Sequence, residues 1–143
     1  MNLTELLKKN LIEKIEPDEK LCKELLANAE KDLKAAEDNL KTEHPDWALA
    51  IAYNAMLSAG RALMAKKGYR ALSEAHHIAV VQFCAATLPS ESSTLVAIFN
   101  RYRIRRHEVV YGEAESVGID EAKKAIDNAT KFIEAIKKMI MKR

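Results

Sequence analysis

The chain has little of what turn-rich folds need, with only 4 glycines and 3 prolines in 143 residues. That scarcity argues against sandwiches and barrels, while abundant Ala, Leu, Lys and Glu favour helix. Cysteine is equally sparse. Cys22 and Cys84 lie far apart, and neither has a CxxC or CxxH neighbourhood. This excludes a zinc ribbon or a dithiol redox motif and reads both as small buried hydrophobes in a reducing cytoplasm. No sign of charge is in excess either: 23 basic side chains face 21 acidic ones, for a formal net charge of +2. With 48% hydrophobic residues, a disordered charged tail is excluded. Long uninterrupted apolar runs are missing as well. Glu5 precedes any apolar run, so no export signal is expected. The most apolar window, Trp47 to Met64, is broken by Asn54, Ser58 and Arg61 and followed by Lys66 and Lys67, which predicts a core helix rather than a membrane span.

What is present is helical punctuation. Pro17, Pro45, Gly68, Pro89, Gly112 and Gly118 fall between periodic stretches, and Gly60 alone lies within one. Proline suits a first helical turn and glycine the position just past a helix end, which predicts helices at about 3–15, 18–43, 46–67, 73–87, 92–111 and 119–141. In the second, Cys22, Leu26, Ala29, Leu33, Ala36 and Leu40 recur at alternating spacings of four and three. The last repeats this with Ala122, Ile126, Ala129, Ile133, Ile136 and Ile140. Such amphipathic stripes favour near-antiparallel packing, and the short connection around Gly68 predicts a helical hairpin. The expected fold is all-α: an up-and-down bundle of four to five long antiparallel helices over residues 18–143, with residues 1–17 as an N-terminal helical arm.

The densest chemical signal runs from Phe99 to Tyr111 and holds Arg101, Arg103, Arg105, Arg106 and His107 within seven residues. On a helix, Arg103, Arg106, His107, Val110 and Tyr111 share one face. Uncompensated like charges at that spacing repel, which points to a ligand bearing phosphate. The plainer alternative is an exposed basic face balanced by Glu108, Glu113 and Glu115. Arg101 and Arg105 fall to another side, with Arg105 in reach of Glu108. Upstream, Asn54, Ser58 and Arg61 draw a polar line through an apolar helix, either as a satisfied interhelical network or as part of a pocket that Arg61 and Tyr53 share with the arginine stripe. His76 and His77 follow the expected cap Ser73. Adjacent helical positions point about 100 degrees apart, so the two do not chelate one metal, and no metal or cofactor is expected. His44, before Pro45, carries no further signal.

The run from Trp47 to Met64, the segment Lys67-Gly-Tyr-Arg70, the His76-His77 pair and the stretch from Arg103 to Gly112 together resemble the HEPN family, the higher eukaryote and prokaryote nucleotide-binding domains. The resemblance covers about Asp18 to Ile140. It implies a helical bundle that dimerises through its motif helices and a cytoplasmic component of a toxin–antitoxin type pair with a minimal nucleotidyltransferase. It also implies a metal-independent ribonuclease, whose signature is an arginine followed, after four to six residues, by a histidine. Arg101 and His107 satisfy that spacing. In a second register Arg106 is the motif arginine, His107 fills the polar slot after it, and Tyr111 stands where the histidine would be, as in the family's Arg-Asn-x-x-x-Tyr variant. The resemblance thus implies catalytic roles for His107, Arg106 and Arg103, with binding of RNA or nucleotide supported by Tyr111, Arg101, Arg61 and Tyr53. The alternative is a binding module without catalysis, in which the same stripe holds a nucleotide or the partner protein, or in which Tyr111 is modified by nucleotidyl transfer.

Overall fold

The computed structural model describes residues 1–72, 76–112 and 117–142. Its centre is a hairpin of two 23-residue helices, α2 (Glu19–Lys41) and α3 (Pro45–Lys67). The Asp18 carboxylate accepts from the Leu21 N–H at 2.9 Å and starts α2, just after Pro17. Pro45 occupies the first turn of α3, where its missing N–H costs nothing. Gly68 ends α3 in the left-handed region at φ 85. A side chain here would sit 2.8 Å from the Ile15 carbonyl oxygen, so backbone conformation and space both demand glycine.

α3 is buried on nearly every side, by α2, α4 (His76–Thr87), α5 (Ser93–Tyr111) and α6 (Ile119–Met141). It is long and apolar enough to cross a membrane by length and composition, but 78% of that apolar window is buried inside the protein. Its alanines let neighbours approach, and Gly60 goes further: a Cβ there would lie 2.6 Å from Val80 Cγ1 and 3.3 Å from Cys84 Sγ on α4. Cys22 and Cys84 are both buried and unpaired in disulfides. The stripes of α2 and α6 face the core as their periodicity requires, with Ala29, Leu33, Ala36, Ala129, Ile133 and Ile136 buried. The all-α bundle is therefore as expected.

Two local expectations are corrected. The first helix ends at Lys8 (α1, Leu3–Lys8) rather than near residue 15, because Asn10 takes a left-handed turn at φ 57. Ile12–Lys14 then form strand β1. The connection after Gly68 is also more than a hairpin turn, since Tyr69–Ala71 form strand β2, antiparallel to β1, with Ile12 opposite Ala71 and Lys14 opposite Tyr69. The short ladder is flanked by a bond from Ile15 N–H to Gly68 O and one from Leu72 N–H to Leu11 O, each 3.0 Å. Leu6 and Ile12 are fully buried, so the N-terminal segment belongs to the same core as the bundle. Ser73, Glu113 and Glu115, singled out above as cap and counter-charges, lie outside the described residues.

Candidate functional site: an arginine cluster around a tyrosine–histidine pair

A chain of rings leads from the core to the site. Phe132 on α6 packs on Phe99 on α5 at 4.8 Å between centroids, Phe99 on Tyr53 at 5.7 Å, and Tyr53 on His77 at 5.7 Å. These contacts fix the Tyr53 ring, whose hydroxyl lies 2.9 Å from His77 Nδ1. The α5 face that buries Val96 and Phe99 continues at helical spacing to Arg103 and Arg106, so the arginines rise over the same seam that anchors the core. Arg61, two turns beyond Tyr53 on α3, completes the cluster. Arg103 is braced by Nε donation to Asn100 Oδ1 at 3.0 Å.

The electrostatics are one-sided. Among the described residues no carboxylate pairs with Arg61, Arg103 or Arg106. Arg61 Nε and Arg106 Nε are buried without a hydrogen-bond partner, a costly arrangement for charged donors. Burial pushes the Tyr53 phenol up to about 12, although the charges of Arg103, Arg106 and Arg61 pull it the other way. Burial also carries the His77 imidazole down to about 4, assisted by His76, Arg106, Arg61 and Arg103. His76 is lowered by burial and by Arg61. At neutral pH, then, the phenol is protonated and His77 is uncharged. Three guanidinium charges act on this pair, a chemistry suited to an anion with several oxygens.

The structure brings together four of the residues singled out in the sequence, Tyr53, Arg61, Arg103 and Arg106, and adds His77, His76 and Asn100. The arginine stripe itself divides. His107 and Tyr111 are exposed, their rings 4.6 Å apart, and Val110 is exposed too. Arg101 is exposed on the outer side of α5. The reason is angular: Arg106 and His107 differ by about 100 degrees on the helix, so a face wide enough to hold both straddles the boundary between core and surface. Arg105, expected to reach Glu108, instead crosses to α6, where its Nε and Nη2 donate to Glu121 Oε2 and Oε1 at 2.8 and 3.0 Å. His76 and His77 carried a visible signal as adjacent histidines at a helix start. Weighed only as metal ligands, their value as hydrogen-bonding partners inside an arginine cluster was missed. Among the described residues, no group of three His, Cys, Asp or Glu is placed to hold a metal ion.

A search of curated proteins found no match to the chain. The HEPN domain family matches over residues 22–139, from the first turn of α2 nearly to the end of α6 and across every residue of the arginine cluster. The chain therefore belongs to the HEPN domain family.

Proposed function

We propose that the protein is a phosphate-binding HEPN component of a pair with a minimal nucleotidyltransferase, and that Arg61, Arg103 and Arg106 hold phosphate groups of RNA or a nucleotide. The observation that carries this reading is the pair of buried, unpartnered Nε donors on Arg61 and Arg106, in a cluster where, among the described residues, no carboxylate balances the charge. Phosphate oxygens supply the missing acceptors, and a protonated Tyr53 hydroxyl with a neutral His77 adds hydrogen bonds without adding charge. Fluorescence anisotropy with labelled single-stranded RNA, competed by ATP, tests it. Replacing Arg103 and Arg106 together by glutamine is expected to weaken binding by at least about tenfold and to flatten its salt dependence. Unchanged affinity and salt slope would reject the assignment.

A second reading, a metal-independent endoribonuclease acting as a homodimer, is favoured by the exposed face of α5. Ile104, Val110 and Tyr111 are 50%, 40% and 64% exposed beside His107, an apolar surface suited to burial against a second copy. His107 of one copy would take the proton from a ribose 2′-hydroxyl, and the 2′-oxygen would attack the adjacent phosphorus. The bond to the 5′-oxygen breaks and that oxygen takes a proton from water, leaving a 2′,3′-cyclic phosphate and a free 5′-hydroxyl, while Arg106 and Arg103 stabilise the charge on the phosphoryl oxygens. Cleavage of single-stranded RNA in chelator, lost in His107→Ala, is the expected result; equal rates in both proteins would reject it. Pairing with a nucleotidyltransferase rests on the family. Tyr111, whose hydroxyl is accessible, would be its acceptor, and mass spectrometry after co-expression reads the added nucleotidyl mass.

A further inference from the structure

On the flank of the arginine cluster a groove of about 450 Å³ runs between the start of α2, the end of α3, strand β2 and the first turn of α4. Ile15, Leu21, Leu25, Met64, Tyr69 and Ala71 give it an apolar wall. Leu21 is 37% exposed, so this part of the wall is open to a ligand. Four polar side chains, Asp18, Arg61, Arg70 and His76, also line the groove. The size lies within the range of small-molecule sites, and a mostly apolar wall with a few convergent polar groups is their usual composition.

The charges lining the groove are not equivalent. The negatively charged Asp18 carboxylate accepts at Oδ1 from the Leu21 N–H at the start of α2, and Arg70 is paired with Glu13 across the β1–β2 ladder. Among the described residues Arg61 has no carboxylate partner, and its buried Nε meets no acceptor. The unmet hydrogen-bond demand is at the Arg61 Nε, beside His76, with Leu21 and Tyr69 on the apolar wall. We propose that this groove is a binding site for a small amphiphilic anion, a phosphate monoester or a carboxylate whose anionic group sits on Arg61 and His76 and whose apolar body lies against Leu21, Leu25, Met64 and Tyr69. The inference shares Arg61 with the phosphate-binding reading but does not use Arg103 or Arg106. It adds a ligand class, a small molecule with a hydrophobic body, that an arginine stripe alone would not select.

Three probes of one size separate the contributions: phenyl phosphate, benzoate and uncharged benzyl alcohol, titrated into the full chain and followed by amide chemical shifts. Phenyl phosphate and benzoate are expected to shift Leu21, Leu25, Tyr69, Ala71 and His76 and to bind at least about tenfold more tightly than benzyl alcohol. Stronger binding of phenyl phosphate identifies a phosphate ester as the natural class, and stronger binding of benzoate a carboxylate. Leu21→Glu, an acidic change in the first turns of α2 that helix electrostatics tolerate, should weaken both anions at least about tenfold and leave benzyl alcohol within about twofold. Arg61→Gln should abolish the preference for anions. Anions binding no better than the alcohol, shifts centred elsewhere, or Leu21→Glu leaving phenyl phosphate affinity unchanged would each overturn the proposal. RNA binding in Leu21→Glu should be retained, because Leu21 lines the groove and neither Arg103 nor Arg106 does. Loss of RNA binding on changing Arg103 and Arg106, with phenyl phosphate affinity intact, separates the fate of the two readings.

Discussion

The Tyr53 hydroxyl on α3 and His77 Nδ1 on α4 lie 2.9 Å apart beneath three guanidinium groups, and the histidine titrates near 4 instead of its ordinary 6.5. The sign of the linked stability follows. Between pH 6.5 and about 4 the unfolded imidazole binds a proton that the folded one refuses, so stability is full above 6.5 and falls as pH drops through that window. Partial solvation of the ring keeps the effect on the order of 1 kcal/mol. Thermal melts at pH 7 and pH 5 should differ in the wild type and converge in His77→Gln, and nitrogen shifts of His77 should report a neutral ring at pH 5. A charged ring at that pH would contradict the arrangement.

Arg106 should illustrate a conflict between stability and binding. Its buried, unpartnered Nε makes the unliganded protein less stable than an apolar side chain of similar length would. Arg106→Leu is expected to leave the melting temperature unchanged or raise it, by up to about 1 kcal/mol of stability, while RNA or nucleotide affinity falls. Conversely, inorganic phosphate should raise the melting temperature of the wild type by mass action and do less for the variant. A strongly destabilised Arg106→Leu protein would mean that the arginine is satisfied within the fold.

Gly60→Ala offers a clean test of packing. Alanine is the better helix former by about 1 kcal/mol, but its methyl would enter space held by the fully buried Val80, whose branched side chain has little freedom to turn aside. Overpacking of this kind costs about 1–3 kcal/mol, so the clash should prevail and denaturant midpoints should fall. Because α4 carries His77 against Tyr53, the same change should also disturb the histidine's titration.

The Arg105–Glu121 pair should behave in the opposite way to the cluster. It is bidentate, ties α5 to α6 and is only partly exposed, with side-chain exposures of 20% and 38%. Glu121→Gln is expected to cost about 0.5–1 kcal/mol in urea unfolding, less at high salt, and to leave phosphate binding intact.

The helices were legible because their signals are periodic and local: the four-and-three spacing of α6 and the proline and glycine stops around α3 each specify geometry within a few turns. Strands β1 and β2 were not. Three residues are too few for an alternating pattern, and Ile12 becomes a strand residue only because Tyr69–Ala71 lie beside it, a fact of tertiary structure. The site divided along the same line. Arg61 was legible as a polar interruption of an apolar helix, Tyr53 as a residue that could share its pocket, and Arg103 and Arg106 as like charges on one face. Whether His107 turned inward with them depended on where the helix meets the core, set by Phe99 and Tyr102 rather than by the stripe. His77 was visible as one of two adjacent histidines, but its pairing with Tyr53, 24 residues earlier on another helix, was not.

The equal lengths of α2 and α3 act as a ruler. Each has 23 residues, about 34 Å, so the chain climbs one helix, descends the other and returns to the level at which it began. That return sets β2 beside β1, joining Glu13 to Arg70 across 57 positions of sequence. One added turn in α2 alone would offset the strands by about 5.4 Å and separate them without altering any residue of the sheet. The register of the N-terminal strand, and the shape of the groove beside it, therefore depend on the length of a hairpin that contributes no residue to β1 or β2.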